Sequence, residues 1–165
     1  MGFRDMSKHI IVERDIKTYN KIINQIKQSV DPLIKQINIK TQVFNMTLIE
    51  AVDHLNGTIA HVDFDSVNSY SNPEIDATVR HLDAINIPSI WLTCTRRKTR
   101  QATVDLKSNQ VDAFSTDRRG NIIFDEGKAV YNEFVRQGIL TKKYMYKTKN
   151  YTGRSGMFML ILQRE

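Results

Sequence analysis

The strongest constraint on this chain is an alternation. Short runs rich in β-branched and aromatic residues, His9-Ile10-Ile11-Val12, Thr41-Gln42-Val43-Phe44, Ile59–Asp65 and Ile90–Thr95, are each followed by a segment long enough for a helix. Buried strands read as short apolar runs, and helix-length crossovers between them predict a largely parallel sheet with helices over both faces. The last stretch, KKYMYKTKNYTGRSGMFMLILQ, holds two strand-like runs around a Gly-containing turn. That is a hairpin, and it adds an antiparallel edge to the sheet. The expected fold class is therefore α/β.

Helix signals sit in the spacers. From Asp15 the residues Ile16, Tyr19, Ile22, Ile23 and Ile26 recur at helical spacing, and Asp15 can cap the start. Asp31-Pro32 predicts a second short helical segment. Thr47-Leu48-Ile49-Glu50 has the form of a capping box, opening a helix to about Leu55 before Asn56-Gly57 breaks it. Asn72-Pro73 opens another, with Ile75, Val79, Leu82 and Ile85 as its apolar face. Residues 96–124 read as a polar stretch. Asp125 then caps a helix through Val135 that Gly138 closes.

Composition narrows the class. The 165 residues suit one domain, residues 1–165, and 41% hydrophobic with 25% charged residues is ordinary for a packed globular chain. No apolar run reaches the ~18 residues of a membrane span, so no membrane partner is expected. The opening MGFRDMSKHIIVERD has too short an apolar stretch for a signal peptide, and Met6 fills the Ser/Thr position of the myristoylation pattern that Met1-Gly2 would begin. The single Cys94 excludes an internal disulfide and a cysteine-based zinc site. A cytoplasmic, reducing location is expected. His54, His61 and His81 share no metal-ligand spacing, so no metal is assigned.

Net charge is +6, and the cations bunch: Arg96-Arg97-Lys98 with Arg100, Arg118-Arg119, and Lys142 through Lys149. Such runs suit a polyanion such as nucleic acid, and equally a solvated basic surface. In folds of this class ligands bind beyond the carboxyl ends of parallel strands. The residues to watch are Glu13, Asn45-Met46, Asp63 and Asp65 through Asn68, and Thr93 through Arg97.

Taken in order, these positions resemble the class I S-adenosylmethionine-dependent methyltransferases, a Rossmann-like family, over about residues 9–163. The resemblance implies that Glu13, ending IIVERD, binds the ribose hydroxyls of S-adenosylmethionine. It places Asn45 and Met46 of FNMT beside the adenine, with Asp63 also on the cofactor side. VDFDSVNSYSNP is similar to the family's substrate motif, which gives Asp65, Ser66 and Asn68 catalytic positions, although Ser66 stands where a proline is usual. Arg96, Arg97, Lys98 and Arg100 would contact nucleic-acid phosphates. The terminal helix and hairpin resemble the family's last helix and its final two strands, of which the last inserts between the two before it. The family's first strand and Gly-rich loop have no counterpart before Glu13. The chain is therefore expected to be N-terminally shortened, and to pair its remaining strands directly or to borrow a strand from a partner chain or homodimer.

Simpler roles stand beside these. Asp65 can cap the next turn, Glu13 can pair with a surface cation, Asn68 and Asn72 suit turns and caps, and Trp91 reads as core. Tyr144, Tyr146 and Tyr151 can stack on bases, though hairpin packing explains two of them equally well. Three functions compete. One is a methyltransferase-like protein with a nucleic-acid acceptor. A second is a non-catalytic nucleic-acid- or protein-binding module on the same fold. The third is a metal-dependent phosphoryl-transfer enzyme, since HVDFDS resembles the opening of lesion-bypass polymerase palms. That last reading needs a further carboxylate pair and an antiparallel palm, and it ranks below the others.

Overall fold

A computed structural model describes residues 9–32, 35, 41–55, 59, 61–66, 73–95, 111–151 and 157–165. The chain divides into two compact units, residues 1–57 and 58–165.

The first unit is built on a parallel pair. Strand β1 (His9–Val12) lies beside β2 (Thr41–Phe44), with His9 opposite Thr41 and Val12 opposite Phe44. Helix α1 (Ile16–Gln28) starts where Asp15 caps it, Oδ2 accepting from Thr18 N at 2.8 Å. Its apolar stripe is present as the spacing predicts, yet none of its residues is buried. Helix α2 (Leu48–His54) carries the complete capping box: Glu50 N donates to Thr47 Oγ1, and Thr47 N donates to Glu50 Oε2. Of the helix expected after Asp31, Pro32 and Lys35 are helical and the rest lies outside the described residues.

The second unit holds β3 (Val62–Ser66), α3 (Pro73–Ala84), β4 (Ser89–Thr95), β5 (Phe114–Thr116), β6 (Ile122–Phe124), α4 (Glu126–Arg136), β7 (Tyr144–Asn150) and β8 (Met157–Arg164). Its main sheet has the order β3-β4-β8-β7. Strands β3 and β4 are parallel, and β8 is antiparallel to both β4 and β7. The final strand thus inserts between the two that precede it in space. β5 and β6 form a separate antiparallel ribbon. The expectation of a mostly parallel sheet is corrected: two described pairings are parallel and three antiparallel. The cause is the position of β8, which turns two central contacts antiparallel.

Strand residues alternate between faces, so one face of the sheet carries Val62, Ile90, Leu92, Cys94, Phe158, Leu160 and Leu162, all buried. Here α4 packs: Tyr131 stacks on Tyr146, ring centroids 4.7 Å apart, and Thr148 Oγ1 donates to Asp125 Oδ1 at 2.7 Å. Asp125 also caps α4 by accepting from Lys128 N. The approach is close enough to require glycine, because a Cβ on Gly127 would lie 2.0 Å from Thr148 Oγ1. Helix α3 buries Ile75, Thr78, Val79, Leu82 and Asp83. The Asp83 carboxylate, 2% exposed, accepts from Thr141 Oγ1 at 2.6 Å and from the backbone N–H groups of Thr141 and Lys142. Burial pushes this carboxyl up, but the bonds from Thr141 and Lys142 outweigh it and hold the group below its ordinary range.

Both helices end in the same way. Gly138 (φ +64) and Asn86 (φ 63) take the left-handed conformation, and the next residue donates back, Ile139 N to Phe134 O and Ile87 N to Leu82 O. This is the Schellman closure, which satisfies otherwise orphaned carbonyls. Strand β3 begins at Val62 rather than Ile59. Residues 96–124, read as polar, contain the β5–β6 ribbon, whose turn is tied by Asp117 Oδ1 accepting from Arg119 N and Asn121 N. Among the described residues no helix is long and apolar enough to cross a membrane.

Candidate functional site

Parallel pairing sends the carboxyl ends of β1 and β2 to the same edge, and the residues just beyond them are drawn together. Glu13 N continues the ladder by donating to Phe44 O at 3.0 Å. The Asn45 side chain donates across to Glu13 O at 2.9 Å and Arg14 O at 3.1 Å, clamping one strand-end loop to the other. The Glu13 carboxylate is fixed by accepting from Asp15 N at 2.8 Å through Oε1. Glu13 and Met46 are half-buried, and Asn45 is exposed. Three predicted cofactor residues, Glu13, Asn45 and Met46, therefore share one strand-end edge.

The other predicted residues belong to the second unit. Asp63 and Asp65 alternate with Phe64 along β3, so both lie on the face opposite the packed core. Asp63 is paired in register with Trp91, Asp65 with Thr93, and Ser66 with Cys94. Asp63 is exposed. Asn68, Asn72, Arg96, Arg97, Lys98 and Arg100 lie outside the described residues, as do the side chains of Asp65 and Ser66.

Around Asp63 the face carries an aromatic pair. His61 meets Trp91 edge to face, centroids 4.8 Å apart, and its Nδ1 is 3.0 Å from Ser89 Oγ. Burial pulls the His61 imidazole down, against the raising effect of the neighbouring Asp63 charge. The expectation that Trp91 belongs to the core is corrected, since a third of its surface, 36%, is exposed. An apolar strand hides this parity: Ile90, Leu92 and Cys94 face the core, while Trp91 faces away beside Asp63. Charge opposite Trp91 on the paired strand was the sequence signal for it. Of the three tyrosines, Tyr144 and Tyr146 pack within the unit and Tyr151 is exposed. Among the described residues no three His, Cys, Asp or Glu side chains converge.

No family model and no curated protein matches the sequence. Solved structures do. A conserved hypothetical protein from Streptococcus pyogenes aligns over 98% of this chain and 74% of its own at a TM-score of 0.56 and 16% identity. An O-methyltransferase family protein from Burkholderia thailandensis aligns over 95% of this chain and 43% of its own, with a TM-score of 0.50 and 13% identity. An rRNA methylase from Streptococcus thermophilus covers 96% of this chain and 87% of its own, but its TM-score of 0.42 at 8% identity is too low to bear on the fold. At these identities the likeness concerns the fold alone, and it is an α/β fold of the methyltransferase kind.

Proposed function

We propose that the chain is a single methyltransferase-like domain of the class I kind, holding S-adenosylmethionine beyond β1 and β2 and acting on nucleic acid. One observation carries the reading: the order β3-β4-β8-β7, with the last strand inserted antiparallel between its two neighbours. That insertion distinguishes the family from other doubly wound sheets, and the likeness to an O-methyltransferase family protein agrees with it.

The residues at the β1–β2 edge suit the cofactor chemically. A ribose diol needs an acceptor held rigidly, and Glu13 is held through Oε1 by Asp15 N, which leaves Oε2 for the hydroxyls. Asn45 and Met46 would lie beside the adenine. When bound, the sulfonium supplies an activated methyl group. This chain's own part is to position the acceptor, with Asp65 accepting a hydrogen bond from its amine, Ser66 and Asn68 lining the approach, and Asp63 on the cofactor side. Arg96, Arg97, Lys98 and Arg100 would meet phosphates.

Calorimetric titration with S-adenosylmethionine and S-adenosylhomocysteine tests this. Micromolar binding, weakened about tenfold or more in Glu13→Ala, is the expected result; tenfold corresponds to about 1.4 kcal/mol. No heat at millimolar ligand would overturn it and leave a binding module on the same fold.

A further inference from the structure

The four-stranded sheet is closed on one side and open on the other. Its open face presents a row in register across all four strands: Asp63 on β3, Trp91 on β4, Ile161 on β8 and Lys147 on β7. Beside that row on β7 lie Met145, 58% exposed, and Lys149, also exposed. The row thus runs from a carboxylate, over an apolar ridge, to cations. Parallel strands are found almost only with both faces covered, and β3 and β4 are a parallel pair with exposed apolar surface on one face.

We propose that this face docks an amphipathic helix of a partner polypeptide, its apolar stripe on Trp91, Ile161 and Met145 and its acidic flank over Lys147 and Lys149. The dimensions agree. Strands ~4.8 Å apart put about 14 Å between the Asp63 and Lys147 positions, and a helix ~10 Å across seats between them with its flanks within reach of both. β4 and β7, seven residues each, run ~23 Å, room for about four turns.

Charge selects the occupant. From Phe134 to Arg164 the sequence has no Asp or Glu, while Lys142, Lys143, Lys147 and Lys149 fall in or beside β7. A second copy of the chain is disfavoured, because its amphipathic α1 brings Lys17, Lys21 and Lys27 and no carboxylate. A nucleic acid lying across the row would set its phosphates against Asp63. A helix, with different residues on its two flanks, avoids both conflicts. The inference stands on the face alone and does not depend on cofactor binding.

Trp91 is the sole tryptophan, so its emission reports on this face directly. Two designed helical peptides of about 18 residues, with the same leucine stripe and either Glu or Lys along one flank, are titrated into the full chain without cofactor. The expected result is a blue shift with the Glu peptide only, at least tenfold weaker in Lys147→Glu/Lys149→Glu, and a preference inverted to the Lys peptide in that variant. Equal response to both peptides, or no response to either, would overturn the proposal. So would a single-stranded RNA oligonucleotide that shifts Trp91 emission and displaces the Glu peptide, which would give the face to nucleic acid instead.

Discussion

The two faces of the β3-β4-β8-β7 sheet come from the same strands, residue by alternate residue, and differ in almost everything else. The closed face is apolar, fully covered and tied at its margins by buried polar groups: Asp125 to Thr148, and Asp83 to Thr141 and Lys142. The open face mixes Asp63, Trp91, Met145 and Lys147, and much of it is exposed. Folding energy therefore resides in one face, and the other is free to carry recognition. Removing side chains should divide along the same line.

The largest effect belongs to the closed face. Phe158 is fully buried, and Phe158→Ala should lower stability by about 3–5 kcal/mol through lost burial and a residual cavity. Met145→Ala, on the open face, should stay within about 0.5 kcal/mol. Urea unfolding followed by Trp91 emission measures both. A cost above about 1.5 kcal/mol for Met145→Ala would mean that its face is already packed, and the contrast would collapse.

Next comes the tight approach of α4 to β7. Gly127→Ala forces a methyl group against Thr148 Oγ1 and Cβ, a β-branched side chain that cannot swing aside. The expected loss is roughly 1–3 kcal/mol. Thr148→Ala alone should also destabilise, because Asp125 loses a buried bond. The double variant should cost less than the sum of the two, since removing Oγ1 clears the clash. Simple additivity in a double-mutant cycle would break this account of the glycine.

These ties also show what could be read from the sequence. Asp15, the Thr47/Glu50 box, Asp125, Gly138 and the terminal hairpin were all legible, because each depends on residues a few positions apart. Glu13, Asn45 and Met46 were legible as strand-end residues, and parallel register then put them side by side. Trp91 was not. Whether an alternate residue of an apolar strand faces core or solvent is decided by which side distant helices choose, and α4 lies far along the chain. The β5–β6 ribbon was lost among polar neighbours, although Phe114, Ile122, Ile123 and Phe124 carry its signal. The parallel share was overestimated because strand count along the chain does not reveal that β8 inserts between β4 and β7.

Acid sharpens the comparison. The folded-state value of Asp83 lies below the ordinary one, so its contribution is fully present above the unfolded value of about 3.9 and is lost as pH falls through the folded value. At neutral pH, Asp83→Asn should cost about 2 kcal/mol, within the range for a charged hydrogen-bonding group. The gap between wild type and variant should close as unfolding curves are taken below pH 4. A gap that persists there would mean that packing, not charge, accounts for Asp83. Open-face variants should show no such closing.

The smallest effect is expected where the closed face is imperfect. Tyr144 is buried, yet its hydroxyl has no partner at hydrogen-bonding geometry. Burial, together with the nearby Asp83 charge, pushes its ionisation up to about 12. A buried unpaired hydroxyl contributes nothing to offset its lost hydration, so Tyr144→Phe should be neutral or slightly stabilising, within about 0.5 kcal/mol. The backbone acceptor role of Tyr144, whose carbonyl takes the Tyr131 hydroxyl at 3.1 Å, survives that substitution. A loss of about 1 kcal/mol would show instead that the hydroxyl reaches Asp83 in solution. Asp83→Asn and Tyr144→Phe would then be coupled rather than additive, and the closed face would have no loose group left.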